Sequence, residues 1–593
     1  MHTVRLTRAL LRANRRVTVL LLTLAVAQGL MLPSMAVVTG VLIGTVGAGH
    51  PPGGPLLLLA LLFSVQRVLD PVTVELSEAL WRQLDEWLLQ RLMGAMVRPV
   101  GLAHIEDPAV LDFAAQAQGA LTEITPGEAA VRLNFVVRNR VMAVTSLAIV
   151  AHYRWWMAVL LALVYALSYR ATRWHWHQVT LVLYGRTDEL RRAYYLRRLA
   201  LTPDVAKETR VFGLSPWLVD RYRREWLDVM RRVWGKRREG WVTLTTTALV
   251  LGLAEGAVLV SVARDAAAGA LSVGTAVTVG QAVLAAAVLA VFQEGNWMMG
   301  EAVRALRRVE ELERSAAASS VEVSGTRPAA GLPRRAVRFE HVGFTYPGRE
   351  EAVFDGFDLE IRAGSSLALV GQNGAGKTTL MKLLARLHDP TSGRITIDGI
   401  DLRELDPREW RTQVAAVFQD YVQFELSAYD NVAFGSLLHA GDRDRVEQAA
   451  ALAGADALVR RLPDGWDTVL SRAFTGGAEL SGGEWQRLAL ARAMFAVLSG
   501  AQILILDEPT ASMDVRGEAD LYDRFLELTQ GITTIVISHR FSTVRRADRI
   551  AVVEHGRVVE DGSHEQLLDA GGRYSTLYRL QAARFQIGDP TGA

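Results

Sequence analysis

Residues 371–379 read GQNGAGKTT, and this stretch decides how the second half of the chain folds. An apolar run from Ser366 to Val370 precedes it, and an amphipathic pattern from Leu380 to Ala385 follows it. The stretch fits the pattern G-x-x-x-x-G-K-[ST] in the order strand, loop, helix that the pattern requires. Glycines let backbone N–H groups converge on phosphate oxygens, and the helix presents its positive N-terminal end to them. The expected phosphate loop consists of Gly371, Gln372, Asn373, Gly374, Ala375, Gly376, Lys377, Thr378 and Thr379.

Two side chains of this loop have expected roles of their own. Lys377 reaches the β- and γ-phosphates, and the Thr378 hydroxyl can ligate Mg²⁺. The chain has 65 Lys plus Arg residues, yet its only lysines are Lys207, Lys236, Lys377 and Lys382. A lysine is therefore present where this loop needs one, although the pattern alone could also be a glycine-rich turn that formed by chance.

Length and composition set the broad class of the protein. A chain of 593 residues is too long for one core, so two or more domains are expected. Half of the residues are hydrophobic, the mean hydropathy is +0.16, and the apolar residues concentrate in the first half, which indicates a membrane protein. A net charge of +2 gives no reason to expect nucleic acid as a partner. The absence of cysteine excludes disulfides, thiolate metal sites and a cysteine nucleophile.

The first half contains long apolar stretches that predict membrane spans of about 20 residues each. Six such stretches recur, near residues 17–44, 55–74, 136–152, 155–169, 241–263 and 273–293. They are too many and too long to be a signal peptide. The basic amphipathic segment 1–16 is suited to lying on the inner surface of the membrane as an elbow before the first span.

Charge placement predicts how these spans are oriented. The links 45–54 and 264–272 are short and carry at most one Arg, whereas 75–135 and 170–240 are long and rich in Arg. The positive-inside rule then puts the long links and both termini in the cytoplasm, which predicts a multi-pass protein of the cytoplasmic membrane. Long links on one side only indicate helices that continue beyond the bilayer.

The composition changes after the last span and predicts the domain boundaries. Residues 315–335 lack periodicity and are small, polar and rich in Pro and Gly, as expected of a linker. Strands and helices then alternate, which predicts an α/β nucleotide-binding domain. The expected organisation is a transmembrane domain over 1–314, a linker over 315–335, an ATP-binding domain over 336–580 and a tail over 581–593.

A second motif supplies carboxylates for phosphate chemistry. A buried-strand pattern from Ile503 ends in Asp507 and Glu508. Asp507 is placed to hold Mg²⁺, and Glu508 to polarise the attacking water, because γ-phosphoryl transfer needs charge neutralisation and an oriented nucleophile. An acidic pair at a strand end is often only a turn or a helix cap, but together with the phosphate loop the catalytic interpretation is favoured.

Three further motifs in the same half resemble one family. Residues 480–493 read LSGGEWQRLALARA, 503–514 read ILILDEPTASMD, and 537–548 read ISHRFSTVRRAD. In order and spacing they resemble the ATP-binding cassette (ABC) proteins, strongly over about 336–575, and the whole chain looks like a half-transporter of the type IV exporter class. The fold class implied is an all-α six-helix transmembrane domain with long cytoplasmic extensions, followed by an α/β P-loop ATP-binding cassette.

The resemblance also implies how the nucleotide is held. Ser481, Gly482 and Gly483 open a helix and form a second anion site, so one domain has two phosphate-binding ends for one ATP. In the family two cassettes sandwich ATP head to tail, which implies a dimer. Two identical half-transporters are favoured, and a heterodimer is the alternative. Glu484 stands where the family usually has Gln, and residues 471–479 depart from the usual acidic run before the signature.

Carried over residue by residue, the same resemblance assigns individual roles. It implies that Tyr346 stacks on adenine, that Gln419 senses Mg²⁺ and water, that Asp514 crosses the dimer interface, and that His539 contacts the γ-phosphate. Taken singly, a tyrosine or a histidine would usually serve packing or lie at the surface. The implied cofactors are ATP and Mg²⁺.

Two features of the membrane half complete the expectations. Segments 105–109 and 206–214 resemble the exporter coupling helices, which dock on the ATP-binding domains, although ordinary helix ends are the alternative. Glu255 lies within an apolar stretch, where an ionisable group is costly unless it faces a partner or a wet cavity. We hypothesise that Glu255 lines a translocation path or pairs with a basic residue there, and the same argument applies more weakly to Gln281. The alternative is burial against a neighbouring helix or placement near an interface.

The function expected from all this is ATP-driven transport of a small molecule, lipid or peptide across the lipid bilayer, in the direction of export. The alternatives are an importer of siderophore-like or vitamin-like substrates on the same fold, a non-transporting cassette ATPase acting on DNA or the ribosome, and a P-loop kinase. The six apolar spans argue against the non-transporting cassette ATPase, and the signature motif argues against the kinase.

Overall fold

The computed structural model describes residues 2–106, 110, 125–184, 187–202, 205–290, 292, 294–318, 325–508, 530–538 and 540–586. The chain divides into two compact units. The first comprises Met1–Gly94 and Leu111–Glu313, and the second comprises Ala95–Val110 and Arg314–Ala593. A short segment from the first half of the sequence, Ala95–Val110, therefore belongs with the second half.

The first unit is helical throughout the part that the structure describes. Its helices are α1 His2–Ala13, α2 Arg15–Gly47, α3 Gly53–Val97, α5 Pro126–Tyr153, α6 Trp155–Tyr184, α7 Thr187–Leu201, α8 Ala206–Val211, α9 Ser215–Ala267, α10 Val273–Ala286 and α11 Glu294–Ala318. The last residues of α3 and of α11 belong to the second unit. A short 3₁₀ turn, Ala287–Ala290, follows α10.

Six helical stretches in the described part are long and apolar enough to cross a membrane, which confirms the six predicted spans. They are Arg15–Gly47, Gly53–Val97, Pro126–Tyr153, Trp155–Val182, Ser215–Ala267 and Val273–Ala316. Helices α3 and α9 have 45 and 53 residues, about twice what a bilayer requires. They therefore continue well beyond their apolar parts, as the Arg-rich links predict.

Small residues allow the membrane helices to approach closely. A Cβ atom added to Gly274 on α10 would lie 2.1 Å from the carbonyl oxygen of Gly40 on α2, so only glycine fits there. Thr278, one turn further along α10, donates a hydrogen bond to the carbonyl of Ala36 at 3.2 Å. Such close contacts between small residues are a usual source of helix association in membranes.

The second unit contains two sheets. Their strands are β1 Ala336–Phe344, β2 Phe354–Arg362, β3 Ser366–Val370, β4 Ser392–Ile397, β5 Ile400–Asp401, β6 Val414–Val417, β7 Ile503–Asp507, β8 Thr533–Ile537, β9 Arg549–Glu554 and β10 Arg557–Gly562. One sheet is antiparallel in the order β2-β1-β4-β5, and the other has the order β10-β9-β3-β8-β7-β6.

Helices of the second unit surround these sheets. They are α4 Ala103–Glu106, α12 Lys377–Leu384, α13 Pro407–Thr412, α14 Ala428–Ala433, α15 Arg443–Leu452, α16 Asp456–Val459, α17 Gly482–Leu498, α18 Phe541–Val544, α19 His564–Asp569 and α20 Arg573–Gln586. Residues 325–335, which lie in the predicted linker, pack on the cassette, because Ala329 is fully buried in its core.

The register of the larger sheet places the expected site at one edge. Strands β3, β8, β7 and β6 are parallel neighbours, with Leu369 opposite Ile537, Asp507 opposite Ile537, and Val417 opposite Leu506. Their carboxyl ends therefore lie side by side, which is where open α/β sheets bind ligands. The strands are buried on both faces and read as continuous apolar runs, as parallel sheets require.

Candidate functional site

The phosphate loop connects β3 to α12, as the sequence predicts. Gly371 leaves no room for a side chain, because an added Cβ would lie 2.2 Å from the carbonyl oxygen of Val553. Gly376 has a φ of 99° and serves as the N-cap residue of α12. The helix therefore begins with Lys377, and its first N–H groups point back toward the loop.

The Lys377 side chain lies across this loop. Its ammonium donates hydrogen bonds to the carbonyl oxygens of Gly371 and Gln372, at 2.8 and 2.9 Å. Burial lowers the pKa of Lys377, while Asp507 and Glu508 act in the opposite direction. The charge is therefore held in a partly desolvated place, where an incoming polyphosphate would interact with it strongly.

The carboxylates at the end of β7 face the loop. The Thr378 hydroxyl and an Asp507 carboxylate oxygen are 3.4 Å apart. Burial, reinforced by the neighbouring charge of Glu508, raises the pKa of Asp507 to about 6. Hydroxyl and carboxylate oxygens are the ligands that Mg²⁺ prefers, and a divalent cation would stabilise the ionised form of this buried carboxylate. The oxygen pair therefore fits a magnesium ion.

Glu508 lies one residue beyond the strand in an unusual conformation. Its φ is 47°, in the left-handed region, and its N–H donates to the carbonyl of Ile537 at 2.9 Å. Gln419, which follows β6, donates a hydrogen bond from its side-chain amide to the Glu508 carboxylate at 3.3 Å. The structure thus brings Lys377, Thr378, Asp507, Glu508 and Gln419 together at one sheet edge. A strained backbone at a carboxylate in such a place is typical of functional sites.

The second predicted anion site lies at the start of α17. Glu484 accepts hydrogen bonds from both the backbone N–H and the hydroxyl of Ser481, each at 2.8 Å. These bonds lower the pKa of Glu484, the backbone N–H of Ser481 having the largest effect. Glu484, the residue that departs from the family pattern, therefore completes a capping box for this helix.

Tyr346 follows β1 and lies beside the start of α12. Its hydroxyl is 3.1 Å from the Thr379 hydroxyl, and its ring makes an edge contact with His388 at 5.6 Å between centroids. The ammonium of Lys382 lies 5.2 Å from the centre of the same ring. A partly buried tyrosine next to the loop is consistent with a platform for adenine.

The segment Ala95–Val110 makes specific contacts within the second unit. Leu102 donates its N–H to the carbonyl of Leu387 at 2.9 Å, and Arg411 donates to the carbonyl of Val100. Glu106, at the end of α4, accepts from Lys382 at 2.8 Å. Its other carboxylate oxygen lies 3.2 Å from His388 Nε2. These contacts place residues 100–106, which include the start of the first segment that resembles a coupling helix, on the cassette.

Lys382 and His388 were not singled out by the sequence motifs. Both link Glu106 to Tyr346, since Lys382 and His388 each contact the Tyr346 ring. The scarcity of lysine in this chain was the one available signal, since Lys382 is among the four. No sequence pattern indicates His388, because its partners come from remote parts of the chain.

The remaining predicted residues are Asp514, His539, Glu255 and Gln281. Asp514 and His539 fall outside the described residues, so their roles stay predictions. Glu255 accepts a hydrogen bond from the buried Tyr165 hydroxyl at 3.1 Å, so the partner observed is a phenol. The first unit contains two cavities, of about 300 and 780 Å³, that share Arg140 and Tyr169 in their walls. Neither Glu255 nor the exposed Gln281 is among the described residues that line them.

Comparisons with known proteins fit this geometry. Residues 354–511 match the family model described as ABC transporter. A solved structure described as a bacterial Atm1-family ABC exporter with ATP bound superposes with a TM-score of 0.72 at 26% identity. The match covers 98% of this chain and 99% of that one. The chain has the architecture of an ABC half-transporter.

Curated relatives of this half-transporter share part of their length with it. An ATP-dependent lipid A-core flippase of Ralstonia nicotianae is 46% identical over 248 residues, which is 42% of this chain and 41% of the relative. ABC transporter B family member 21 of Arabidopsis thaliana is 41% identical over 257 residues, which is 43% of this chain and 19% of the relative. The matches thus span less than half of each relative. The importer alternative finds no support among these proteins.

Proposed function

We propose that this half-transporter is an ATP-driven exporter that works as a dimer in the cytoplasmic membrane. The observation that carries the proposal is that Ala95–Val110, a segment between two membrane spans, belongs to the same compact unit as the cassette. Glu106 and Leu102 of this segment are bonded to residues on or just after α12, the helix that begins with Lys377. A change at the nucleotide is therefore transmitted to the membrane helices through direct contacts.

The site residues divide the work of hydrolysis. The loop and Lys377 hold the phosphates, Tyr346 supports adenine, and Thr378 and Asp507 would hold Mg²⁺, which when bound neutralises charge on the phosphates. Glu508 accepts a proton from the water that attacks the γ-phosphorus, while the bond to the β,γ-bridging oxygen breaks. Gln419, bonded to Glu508, orients that water. His539 and Asp514 keep their predicted roles at the γ-phosphate and at the dimer interface.

A dimer is supported by surfaces that one chain leaves open. The second segment resembling a coupling helix, α8, has no buried residue, and Val211 and Phe212 at its end are 79% and 70% exposed. Exposed apolar side chains at the tip of a helix pair are expected to be covered by a partner. The N-terminal end of α17 likewise offers an anion site. Two identical copies are favoured, because each chain carries a full set of site residues, and a heterodimer is the alternative.

The orientation follows from charge. Arg-rich links and both termini are placed in the cytoplasm, with the cassette, and the short links outside. The flippase relatives are named for lipid A-core, which supports a lipid-like substrate and movement away from the cytoplasm. ATP binding would close the two cassettes and turn the cavity outward, and hydrolysis would reset it.

Glu508→Gln tests this proposal. The variant keeps the shape of the side chain but cannot accept the proton, so we expect hydrolysis to fall about 10²- to 10⁴-fold with ATP binding retained. Hydrolysis is measured on the protein in liposomes, and ATP binding by equilibrium dialysis. Glu447→Gln, which removes an exposed partner of Arg443 on α15, is the matched control and should behave as the parent. Near-normal hydrolysis by Glu508→Gln would contradict the assigned base.

A further inference from the structure

Two adjoining cavities lie within the membrane unit, between α5, α6 and α11. The larger has a volume of about 780 Å³ and the smaller about 300 Å³, both in the range of ligand sites. They share the lining residues Arg140, Tyr169 and Asn296, so they meet at these three side chains.

The larger cavity is basic and aromatic. Its wall includes Arg140, Arg170, Arg173, Arg304, Trp174 and Trp297. Among the side chains that the structure describes, no Asp or Glu lines it. Arg140, Arg170 and Arg173 are exposed to the cavity and have no ion pair with any described carboxylate. Three guanidinium groups thus face the same space without a counter-charge from the described part of the chain.

The position of these arginines along their helices shows how deep they lie in the bilayer. Counting 1.5 Å per residue from the tight turn between α5 and α6, Arg140 and Arg173 lie about 20 and 27 Å along their helices. The hydrocarbon core is about 30 Å thick, so in the proposed orientation Arg173 lies near its cytoplasmic boundary and Arg140 lies about 10 Å inside it. Trp174, which follows Arg173 on α6 and also lines the larger cavity, matches the aromatic belt of a membrane interface. Charges at this depth are costly unless they face water or an anion.

The smaller cavity lies deeper and is mainly apolar, although Asn139 and Tyr165 line it beside the shared Arg140, Tyr169 and Asn296. On α6 its lining residues are Ala162 and Ala166, followed by the shared Tyr169, after which Arg170 and Arg173 line the larger cavity. Val136 and Leu289 complete the apolar wall from the neighbouring segments. The space therefore changes from apolar to cationic in the direction in which a lipid of the cytoplasmic leaflet presents its chain and head group.

We propose that the two cavities together bind an anionic amphiphile from the cytoplasmic leaflet. Its phosphate or carboxylate head group contacts Arg140, Arg170 and Arg173, since guanidinium groups bind such anions in a bidentate manner. Its hydrocarbon chain occupies the apolar cavity beside Ala162 and Ala166. The inference rests on the proposed export function and names the substrate class for it.

The test measures binding without nucleotide. The full-length protein in phosphatidylcholine nanodiscs is titrated with ³²P-labelled dodecyl phosphate, and empty nanodiscs give the background. We expect saturable binding that becomes at least about 10-fold weaker in the double variant Arg140→Gln/Arg173→Gln, since each removes a charge-assisted contact. Arg67→Gln is the matched control, because Arg67 lies at about the same depth on α3, over the ring of Phe63, and lines neither cavity.

Competitors separate the parts of the proposal. Unlabelled dodecyl phosphate should displace the probe, whereas dodecylphosphocholine and inorganic phosphate should each require at least about 10-fold higher concentrations. Equal competition by dodecylphosphocholine would overturn the recognition of net negative charge. Equal competition by inorganic phosphate would overturn the role of the apolar cavity. Equal weakening by Arg67→Gln and by the double variant would place the binding elsewhere.

Two further measurements keep the outcomes distinct. Arg173→Lys, which keeps a charge but not the planar fork, should bind with intermediate affinity, and its elution in size-exclusion chromatography checks folding. Because binding is measured without ATP, its loss would overturn this inference while leaving the Glu508→Gln result intact. Stimulation of ATP hydrolysis by dodecyl phosphate in the parent protein would then connect binding in the cavities with hydrolysis at the cassette.

Discussion

At the scale of the residue, backbone conformation restricts which side chains the phosphate loop accepts. Gly376 combines a φ of 99° with a close approach, because an added Cβ would lie 2.7 Å from the ring of Phe354. Gly399 has a similar φ of 90°, but an added Cβ there would meet open space. Substituting each glycine in turn therefore distinguishes the effect of backbone strain, which both positions share, from the effect of a steric clash, which only Gly376 has.

We expect Gly376→Ala to be more damaging than Gly399→Ala. Both substitutions place a Cβ in the left-handed region, which costs about 1 to 2 kcal/mol. Only Gly376→Ala also displaces the Phe354 ring and the first turn of α12, so it should additionally weaken ATP binding by about 10-fold or more. Thermal unfolding and equilibrium ATP binding provide the two readouts. Equal ATP affinity in the two variants would show that the close approach to Phe354 is unimportant.

His388 makes the stability of the cassette depend on pH. The ring is buried beside Phe344 and Tyr346, and it faces Glu106, Lys382 and Asp389. Burial lowers the pKa of His388 below its ordinary value of 6.5, with the charge of Lys382 acting in the same direction and Glu106 and Asp389 opposing it. Just below pH 6.5 the unfolded chain therefore binds more protons than the folded one, and stability falls as the pH falls.

Thermal unfolding of the full-length protein at pH 7.5 and at pH 5.5 checks this sign. The loss of stability on acidification should be smaller in His388→Gln than in the parent, because glutamine does not titrate. An unchanged acid response in His388→Gln would mean that this ring is protonated equally in the folded and unfolded chain.

At the scale of the element, α4 is too short to be stable alone. It has four residues and is held by contacts that other elements supply, among them the ion pair between Glu106 and Lys382 at 2.8 Å. This bond raises the pKa of Lys382 against the effect of burial. Because Lys382 lies on α12 and contacts the Tyr346 ring, α4 is connected to both ends of the expected nucleotide site.

Glu106→Gln should weaken communication between the cassette and the membrane helices. The side chain keeps its size and loses its charge, so we expect basal ATP hydrolysis to persist while stimulation by dodecyl phosphate falls about 3- to 10-fold, corresponding to about 1 kcal/mol of coupling. Glu447→Gln removes an exposed ion pair with Arg443 on α15 and serves as control. Full stimulation in Glu106→Gln would exclude this ion pair from the coupling.

At the scale of the whole molecule, the exposed tip of α8 predicts that a single chain is incomplete. Phe212 has no described apolar cover, so Phe212→Ser should change the unfolding free energy of the chain by less than about 0.5 kcal/mol. If a second copy covers it, the dimer of the variant should dissociate at a higher protein concentration than the parent dimer, and the protein concentration that gives half-maximal ATP hydrolysis should rise.

Light scattering across a dilution series in detergent measures this dissociation, with and without ATP in the Glu508→Gln background. Leu438→Ser is the control, because Leu438 is 84% exposed on the cassette and lies outside both segments that resemble coupling helices. Identical dissociation of the two variants would argue that α8 does not contact the second copy. Absence of any dimer in the parent would contradict the proposed assembly.

Local sequence patterns are enough to predict several elements of this protein. The glycine pattern around Lys377, the strand that ends in Asp507 and the six apolar spans each depend on neighbours in the chain, since loop conformation and hydrophobic length are local properties. Contacts between residues that are remote in the sequence appear only in the folded chain. Sheet register and helix packing bring these residues together. They produce the hydrogen bond between Gln419 and Glu508, the contacts of Glu106 with Lys382 and His388, and the common cavity of Arg140, Arg170 and Arg173. No short-range pattern encodes them, because each partner alone looks like an ordinary polar residue.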